Sequence, residues 1–443
     1  PSTPKGTRDF TSEELSKRNY IKNILQKSFE SFAFSPIETP SFERLETLTG
    51  VYGEEGDRLV FKILNSGEKI KKADLEAFSD GDNHKFTRSI SEKALRYDLT
   101  VPFARFVAQH QNELIFPYRR YQIQPVWRAD RPQHGRYQEF YQCDADIVGT
   151  SSLSCEVELV SIINDVLSKF SLNEHTIFIN NRKILSALIE FCGAKDYFKK
   201  ITIIIDKLDK VGPDKVVSEL KENIPNNHCA NLFKELFSID GSNEDLVVWL
   251  NGKIGQISEG KKGIEELSYV LNSCKSIGLN NLKVNLSLAR GLDYYTGSIF
   301  EVVLNNYNIG SIVGGGRYDD LTQLFGQRDL SGVGISFGAE RIYDVMNDLK
   351  MFPSELSNSP DFMVINSSDS LLDGFKLCNY IRDKGFNCLI YPDDQKLKKQ
   401  LKYANDLKIP YVLFVNNSFD VKMFVDCKDM KTGEQKAVLI KDL

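Results

Sequence analysis

Residues 118–149 of the chain read YRRYQIQPVWRADRPQHGRYQEFYQCDADIVG, and their pattern indicates a β-sheet. Apolar and polar residues alternate at both of its ends with the period of a β-strand. The polar positions are Arg120, Gln122 and Gln124 in the first run and Gln142, Asp144 and Asp146 in the second. The alternation predicts two strands joined by a loop, with polar side chains on one face of a sheet. An exposed strand would alternate in the same way, so one strand alone leaves a surface position open.

The loop between the two predicted strands is basic, and its charges indicate a class of ligand. Arg128 ends the first run and Arg136 lies within the loop, while Asp144 and Asp146 follow in the second run. Guanidinium groups match pairs of phosphate oxygens, and carboxylates in the same pocket match ammonium groups or ring N–H donors. We therefore expect a site for phosphate together with a small, cationic or donor-rich ligand.

Five stretches of the sequence together resemble one protein family. They are PKGTRDF at 4–10, LRYDLTVPFARF at 95–106, the arginine-ended run and FYQCDADI within 118–149, LARGLDYYTG at 288–297 and GGGRYDDL at 314–321. In these motifs the chain resembles the histidyl-tRNA synthetases, members of the class II aminoacyl-tRNA synthetases, in wording typical of the eukaryotic branch. LARGLDYYTG followed by GGGRYD is highly specific. From the residues alone, GSIVGGG predicts a strand that runs into a glycine turn. The resemblance extends from residue 4 to about residue 350.

The fold implied by the resemblance is α+β. It consists of a class II catalytic domain on an antiparallel β-sheet with flanking helices and a helical insertion, then a C-terminal α/β anticodon-binding domain. The βαβαβ pattern of the last segment agrees. The expected boundaries are catalytic domain 1–181 and 281–353, insertion 182–280, linker 354–360 and anticodon-binding domain 361–443. By resemblance the insertion lies against the tRNA acceptor stem. The alternative, an insertion that makes no contacts with tRNA, stays open as well.

The N-terminal region predicts a helix followed by an extended segment. The helix spans Ser12 to Phe32 with Thr11 or Ser12 as its N-cap, because Glu13 and Glu14 occupy the first turn, where the helix dipole favours acids. The prolines of SPIETPSFER then break the helix. By resemblance this region is motif 1, the dimer interface of class II synthetases; from the residues alone it is an ordinary connection.

Residues 85–90, KFTRSI, predict a short strand that leads into a helix within LRYDLTVPFARF. Asp98 and Thr100 stand at the start of that helix, where an aspartate most often serves as a cap. By resemblance the same two side chains face the α-amino group of histidine, for which a carboxylate and a hydroxyl are suitable acceptors. Both roles stay open for Asp98.

Residues 332–349, GVGISFGAERIYDVMNDL, predict a strand, a glycine and a helix. Arg341 falls in the first turn of that helix, where unpaired N–H groups and the helix dipole favour an anion. By resemblance this is motif 3, whose arginine holds the γ-phosphate of ATP. The local alternative is an ion pair with Glu340 or Asp344 on the helix surface.

The resemblance also implies the roles of the remaining site residues. Arg128 and Arg290 are expected to be catalytic at the α-phosphate, with Arg290 in the place that a metal ion fills in other class II enzymes. The residues expected to bind ATP are Arg128, Asp130, Arg136, Phe140 as a stacking partner of adenine, and Arg341. Those expected to bind histidine are Asp98, Thr100, Gln142, Asp146, Arg290, Tyr294, Tyr295 and Tyr318, with Asp144 beside them. Mg²⁺ is expected to accompany ATP, and no protein-bound metal site is expected.

Composition sets broader bounds. A net charge of −5 over 443 residues neither indicates nor excludes RNA binding, which needs only a local basic surface. The 8 cysteines include no CxxC pair, so neither a zinc site nor a redox motif is suggested, and free thiols fit a reducing cytosol. No apolar run reaches the length of a membrane span. We expect a cytoplasmic protein, with additional service to mitochondria left open.

The function implied by the resemblance is that of a histidine–tRNA ligase. ATP would activate L-histidine to histidyl-adenylate, and the acyl group would pass to tRNA(His) on a homodimeric enzyme. The alternative is a non-catalytic paralogue that acts as a regulatory subunit or a tRNA sensor. Such paralogues lose catalytic arginines or the C-terminal domain, whereas this chain keeps Arg128, Arg290 and Arg341 and has that domain.

Overall fold

The computed structural model of the protein describes residues 1–50, 53–133, 135–239, 241–289, 295–319, 325, 330–354, 356, 359–367, 371–415 and 420–442. The chain forms two compact units, Pro1–Phe352 and Pro353–Leu443. Within the described ranges, no helix combines the length and the apolar character that a membrane span needs.

The first unit is organised around one large mixed sheet. Its strands are β1 (Ser35–Pro36), β2 (Phe42–Arg44), β3 (Lys62–Ile63), β4 (Lys93–Leu95), β5 (Tyr118–Trp127), β6 (Glu139–Val148), β7 (His175–Asn181), β8 (Leu282–Val284), β9 (Ser298–Leu304), β10 (Val313–Tyr318) and β11 (Gly332–Gly338). The large sheet has the order β1-β5-β6-β11-β10-β9-β7-β8, and β2, β4 and β3 form a small separate sheet. Pairing is antiparallel from β5 through to β7, whereas β1 and β8 join the two edges in parallel.

Helices of the first unit cover the apolar face of the large sheet, fill the segment between β7 and β8, and pack around the small sheet. They are α1 (Ser12–Ser31), α2 (Leu45–Leu48), α3 (Gly53–Leu59), α4 (Leu75–Ser79), α5 (Asn83–Ile90), α6 (Thr100–His110), α7 (Ser154–Lys169), α8 (Arg182–Phe191), α9 (Phe198–Ile205), α10 (Leu208–Val211), α11 (Pro213–Asn223), α12 (Asn227–Phe237), α13 (Asn243–Ile254), α14 (Ser258–Ser276) and α15 (Ala339–Asp348), with short 3₁₀ turns at Gly67–Lys72 and Lys195–Tyr197. The main core joins α1, α7 and α15 to the apolar sides of β6 and β11. The α+β fold class expected from the sequence is confirmed.

Helix α1 begins where the sequence predicts, and a capping box fixes its first turn. The Thr11 hydroxyl accepts a hydrogen bond from the Glu14 backbone N–H at 3.4 Å, and the Glu14 carboxylate accepts one from the Thr11 N–H at 2.7 Å. The hydrogen bonds that Thr11 donates to the Glu14 carboxylate lower the pKa of Glu14, because they stabilise its ionised form. The predicted N-cap at Thr11 is therefore confirmed.

The strand predicted over residues 85–90 is wrong, because these residues belong to helix α5. The Asp82 carboxylate caps that helix by accepting a hydrogen bond from the Lys85 N–H at 2.9 Å. Phe86 then packs against Phe78 of α4, with ring centroids 4.9 Å apart. Six residues are too few to separate a strand period from a helix period, and here the cap decides.

Strands β5 and β6 pair as the sequence predicts, and their polar faces are buried. The register sets Arg120 opposite Asp146, Gln122 opposite Asp144 and Gln124 opposite Gln142. Arg120 and Gln122 are 0% exposed, and Asp144 and Asp146 only 2% and 3%. The surface alternative for these strands is therefore wrong, and the polar side chains lie within the protein.

A buried ion pair connects β10 to α7. The Arg317 guanidinium donates through Nε and Nη2 to both oxygens of the Glu156 carboxylate, at 2.6 Å each. It also donates to the Ser331 hydroxyl at 2.6 Å and to the carbonyls of Thr150 and Ser152. Arg317 thus fastens β10, the strand that contains the three glycines, to the helix behind the sheet.

The second unit is an α/β domain with one mixed sheet. Its elements are β12 (Phe362–Val364), α16 (Leu371–Asp383), β13 (Cys388–Ile390), α17 (Leu397–Asp406), β14 (Tyr411–Phe414), β15 (Phe424–Asp429), β16 (Gln435–Leu439) and a 3₁₀ turn at Ile440–Asp442. The sheet order is β13-β12-β14-β15-β16, with parallel pairing among the first three strands and antiparallel pairing beyond them. The predicted βαβαβ pattern is confirmed, and β15 and β16 extend it.

The Arg317–Glu156 pair predicts a large stability effect. We expect Glu156→Gln to lower the free energy of unfolding by about 3–5 kcal/mol, because it leaves a buried guanidinium without its counter-charge. Urea unfolding followed by tryptophan fluorescence measures this unit, since both tryptophans, Trp127 and Trp249, lie within it.

The control for that measurement is Glu158→Gln on the same helix. Glu158 pairs with Arg119, and the two side chains are 26% and 35% exposed. Loss of the Glu158–Arg119 pair should lower the free energy of unfolding by about 1 kcal/mol or less. Equal losses in the two variants would contradict a special role for the buried pair.

Candidate active site

A cleft of about 1220 Å³ opens in the first unit over the polar face of the large sheet. Its walls come from β6, β10 and β11, the loop between β5 and β6, and helices α3, α9 and α15. The residues predicted to bind ATP that line it are Arg128, Asp130, Arg136, Phe140 and Arg341, and Gln142 lies among them. The structure therefore brings together these side chains from motifs that are far apart in the chain.

Arg128 and Phe140 form one wall of the cleft. The Arg128 Nε donates to the Tyr97 carbonyl at 3.0 Å, and its guanidinium carbon lies 4.3 Å from the Tyr97 ring centroid. The same carbon is 5.2 Å from the centroid of the Phe140 ring. The backbone contact and the rings hold a cationic fork at a fixed place, with an aromatic face beside it.

Arg341 connects helix α15 to the loop between β5 and β6. Its Nε donates to the Gly135 carbonyl at 3.2 Å, and its Nη1 donates to the Ser311 carbonyl. Arg136 lies next to Gly135 and forms an isolated β-bridge with Gln133. The loop thus folds back so that Arg136 and Arg341 lie along the same side of the cleft.

Local sequence also allows an ion pair of Arg341 with Glu340 or Asp344, and the structure shows where the Glu340 carboxylate lies. Glu340 is buried and contacts two arginines, Arg8 at 2.5 Å and Arg18 of α1. The Arg8 guanidinium also lies 3.5 Å from the centroid of the Tyr137 ring, in the same loop. An ion cluster therefore connects the N-terminal segment, α1 and α15 beside the cleft.

The N-terminal segment contributes to the site, although no role was predicted for it from local patterns. The Gln138 N–H donates to the Gly6 carbonyl at 2.9 Å, and Gly6 has a φ of +84°. A Cβ at Gly6 would lie 2.6 Å from Cγ of Gln138. The glycine of PKGTRDF is the signal for this contact, because only a residue without a side chain permits both features.

Helix α9 forms a further part of the cleft that sequence reasoning missed. Lys199, Thr202, Ile203 and Asp206 line it together with Arg182, the first residue of α8. Ile203 is 62% exposed. These positions carry no motif, and their place depends on how the helical segment folds back toward the sheet, which local patterns do not reveal.

Beyond Gln142 on the same face of β6 lies a buried charge network. The Tyr318 hydroxyl donates to Oδ1 of Asp146 at 2.7 Å, and Nη2 of Arg120 is 2.9 Å from Oδ2 of Asp146. Burial raises the pKa values of Asp144 and Asp146, an effect that the Arg120 guanidinium opposes. Burial and then Asp146 raise the pKa of Tyr318 well above its usual value, so the phenol stays a donor.

Glycines on the neighbouring strands make room for this network. A Cβ at Gly334 would lie 1.9 Å from Oδ1 of Asp146, and one at Gly332 would lie 2.4 Å from the Tyr318 ring. The glycines of GGGRYDD lie within strand β10, so the glycine turn predicted there is wrong. Gly316 instead lets the Tyr295 ring approach, since its Cβ would be 2.8 Å from Cδ1 of Tyr295.

Asp98 acts as the cap that local sequence favours, since its Oδ1 accepts a hydrogen bond from the Val101 N–H at 3.2 Å. Thr100 is the first residue of α6 and is half-buried. Gln142 donates through Nε2 to the Ser336 hydroxyl at 3.0 Å. Arg290 and Tyr294 lie outside the described residues. No group of three or more potential metal-ligating side chains occurs in the described part of the chain.

Comparisons with known proteins agree with this arrangement. The sequence model described as histidyl-tRNA synthetase matches residues 80–342, and one described as an anticodon binding domain matches residues 362–443. A protein of Christiangramia forsetii named histidine–tRNA ligase is 50% identical over 440 residues, which cover 98% of this chain and 96% of that protein. One of the same name from Porphyromonas gingivalis is 47% identical and covers 98% and 96%.

A solved structure is similar over the whole chain. The crystal structure of histidyl-tRNA synthetase from Nostoc sp. PCC 7120 superposes with a TM-score of 0.80 at 28% sequence identity, covering 100% of this chain and 99% of that one. Two curated relatives well above 30% identity and a family model that spans more than half of the sequence lead to the same assignment. The chain belongs to the histidyl-tRNA synthetase family.

Proposed function

We propose that this chain ligates L-histidine to tRNA(His) at the expense of ATP, through histidyl-adenylate. The observation that carries the proposal is one cleft lined by Arg128, Arg136 and Arg341. The polar face of β6 that reaches this cleft at Gln142 carries the buried Asp146–Tyr318 pair farther along. The names of the curated relatives support a ligase rather than a regulatory subunit or tRNA sensor.

In the first step, a carboxylate oxygen of histidine attacks the α-phosphorus of ATP, and the bond to pyrophosphate breaks. In the second, a ribose hydroxyl of the terminal tRNA adenosine attacks the acyl carbon, and AMP leaves. Phe140 would stack on adenine, Arg128 would neutralise the α-phosphate, and Arg136 and Arg341 would hold the outer phosphates. These roles are positional and electrostatic, so the protein forms no covalent bond.

For three features of the proposed ATP site, the role is inferred from the family resemblance. Asp130 lines the cleft, and by resemblance it belongs to the ATP site. Arg290, outside the described residues, would complete the clamp on the α-phosphate. Mg²⁺ would arrive with ATP, bound mainly by the phosphates, and would neutralise part of their charge.

Histidine would lie along β6. Asp98, Thr100 and Gln142 would accept hydrogen bonds from the ammonium group, and Asp146, Tyr295 and Tyr318, with Tyr294, would surround the imidazole. Capping and binding are compatible for Asp98, because a carboxylate accepts several hydrogen bonds. A pocket that bonds both ring nitrogens rejects other amino acids by a factor of about 10⁴ or more, since its buried polar groups are otherwise unpaired.

The wider assembly is also part of the proposal. Residues 13–45 would pair two chains as a homodimer, residues 182–280 would be an insertion within the catalytic domain, and residues 361–443 would bind the anticodon of tRNA(His). The family model at 362–443 supports the last assignment. The bacterial relatives support action in the cytoplasm and offer nothing in favour of mitochondria.

The first test concerns recognition of histidine. Tyr318→Phe removes the donor to Asp146, and we expect the KM for histidine in ATP–pyrophosphate exchange to rise about 10-fold to 100-fold, because a buried acceptor loses its partner. The KM for ATP should change little, and none of the other amino acids should support exchange. A similar rise in both KM values would remove Tyr318 and Asp146 from the amino-acid pocket.

The second test concerns the chemical step. Arg128→Ala should lower kcat for exchange by about 100-fold to 1000-fold, as loss of one preorganised charge donor does, while histidine binding measured by calorimetry stays close to that of the wild type. Lys376→Ala, at a side chain of the second unit that is 60% exposed, should leave kcat for exchange unchanged. Retention of full turnover in Arg128→Ala would contradict the assigned role.

The third test concerns assembly. A chain that ends at Phe352 lacks the second unit, and we expect it to sediment as a dimer and to make adenylate, because the cleft and the proposed interface lie in the first unit. It should aminoacylate tRNA(His) at least about 100-fold more slowly, since the acceptor end is no longer held in register. A monomer would contradict the proposed dimer interface, and undiminished aminoacylation would contradict the proposed role of the second unit in tRNA binding.

A further inference from the structure

One guanidinium serves two carboxylates beneath the proposed histidine site. Arg120 of β5 is fully buried, with Nη2 at 2.9 Å from Oδ2 of Asp146 and 4.0 Å from Oδ2 of Asp144. Its guanidinium carbon lies 4.1 Å from the centroid of the Phe103 ring, which closes the site on the α6 side. With both carboxylates ionised, these three side chains carry one negative charge in excess of their positive charge.

Several polar atoms of this network make no hydrogen bond of normal geometry to the described residues. They are all three nitrogens of Arg120, Oδ1 of Asp144, Oδ2 of Asp146 and Oε1 of Gln142. Buried polar groups normally have hydrogen-bond partners, and a buried polar group without a partner costs stability. Three of these atoms are carboxylate or amide oxygens, which only accept hydrogen bonds, so a ligand that brings N–H groups fits them.

Asp144 reaches the ligand face indirectly. The Ser336 hydroxyl hydrogen-bonds to the Asp144 carboxylate, and Nε2 of Gln142 donates to the same hydroxyl at 3.0 Å. The register of β6 and β11 sets Ser336 opposite Asp144. Because Gln142 uses its N–H₂ group here, its carbonyl oxygen is left to accept from an ammonium group.

We propose that Arg120 and Asp144 are positioning residues for histidine, and that their opposite charges act as a pair. Arg120 holds Asp146 with its oxygens toward the imidazole, while Asp144, through Ser336, orients Gln142 toward the ammonium group. The pair also sets the formal net charge of the pocket at one negative unit, which the ammonium group of histidine offsets. This inference rests on the proposed function.

A double-mutant cycle tests the pairing. In the full chain, Arg120→Met and Asp144→Asn should each weaken histidine binding, measured by calorimetry without ATP, by about tenfold, in the range of residues coupled in one network. The double variant should bind histidine more tightly than Arg120→Met alone, because removing one carboxylate restores the single excess charge. Asp144→Asn would thus weaken binding in one background and strengthen it in the other.

A matched control lies on the same strand. Arg119 is the neighbour of Arg120 on the opposite face of β5, and it pairs with Glu158 rather than with the network. Arg119→Met and Glu158→Gln should leave the dissociation constant for histidine unchanged. The dissociation constant for ATP should stay constant in all variants, and thermal unfolding midpoints identify any variant that fails to fold.

The outcomes separate the two levels of the claim. A folded Asp144→Asn variant with unchanged histidine affinity, or a double variant no tighter than Arg120→Met, would overturn the positioning pair. Wild-type protein that binds no histidine would overturn the proposed function as well. The reversal of the Asp144→Asn effect, with ATP binding constant, is the result that supports the pair, since a merely structural role gives losses that add.

Discussion

Close approach between strands is the constraint on which the polar face of the large sheet depends. Carboxylate, phenol and guanidinium groups share that face because β11 carries no side chain opposite Asp146 and Tyr318. Gly334 leaves the space that the Asp146 carboxylate occupies, and Gly332 does the same for the Tyr318 ring. A methyl group at either position would displace a group of the network, so these glycines serve contact rather than chain flexibility.

The cluster around Glu340 is the second support of the site. Two guanidinium groups compensate its buried carboxylate, which offsets the cost of removing charge from water. The cluster also orients Arg341, because Glu340 and Arg341 are adjacent in the first turn of α15. Fixing one side chain from the N-terminal segment and α1 orients the other toward the cleft, so segments that bind no substrate define where an arginine points.

Sequence reasoning was most successful where a local period or cap determines the element. The alternation in residues 118–149 predicted β5 and β6, and Thr11 predicted the start of α1. It failed at residues 85–90, where a short apolar pattern fits two periods, and at the glycines of β10, which serve contacts across the sheet rather than a turn. The contributions of Arg8 and α9 to the cleft depend on tertiary packing, which no single segment encodes. The family resemblance, rather than periodicity, supplied the roles of individual site residues.

Register connects the fold to the chemistry. Along β6, Phe140, Gln142, Asp144 and Asp146 project from one face. A strand advances about 3.3 Å per residue, so Phe140 and Asp146 are about 20 Å apart. The proposed order of adenine, phosphate, amino group and imidazole is therefore laid out along one strand. A slip of one residue against β5 or β11 would turn every one of these side chains to the apolar face. The cross-strand pairs of Arg120 with Asp146 and of Gln122 with Asp144 oppose such a slip, because it would bury charges among α1, α7 and α15. The same charges that would receive the substrate thus also favour the only register in which they can do so.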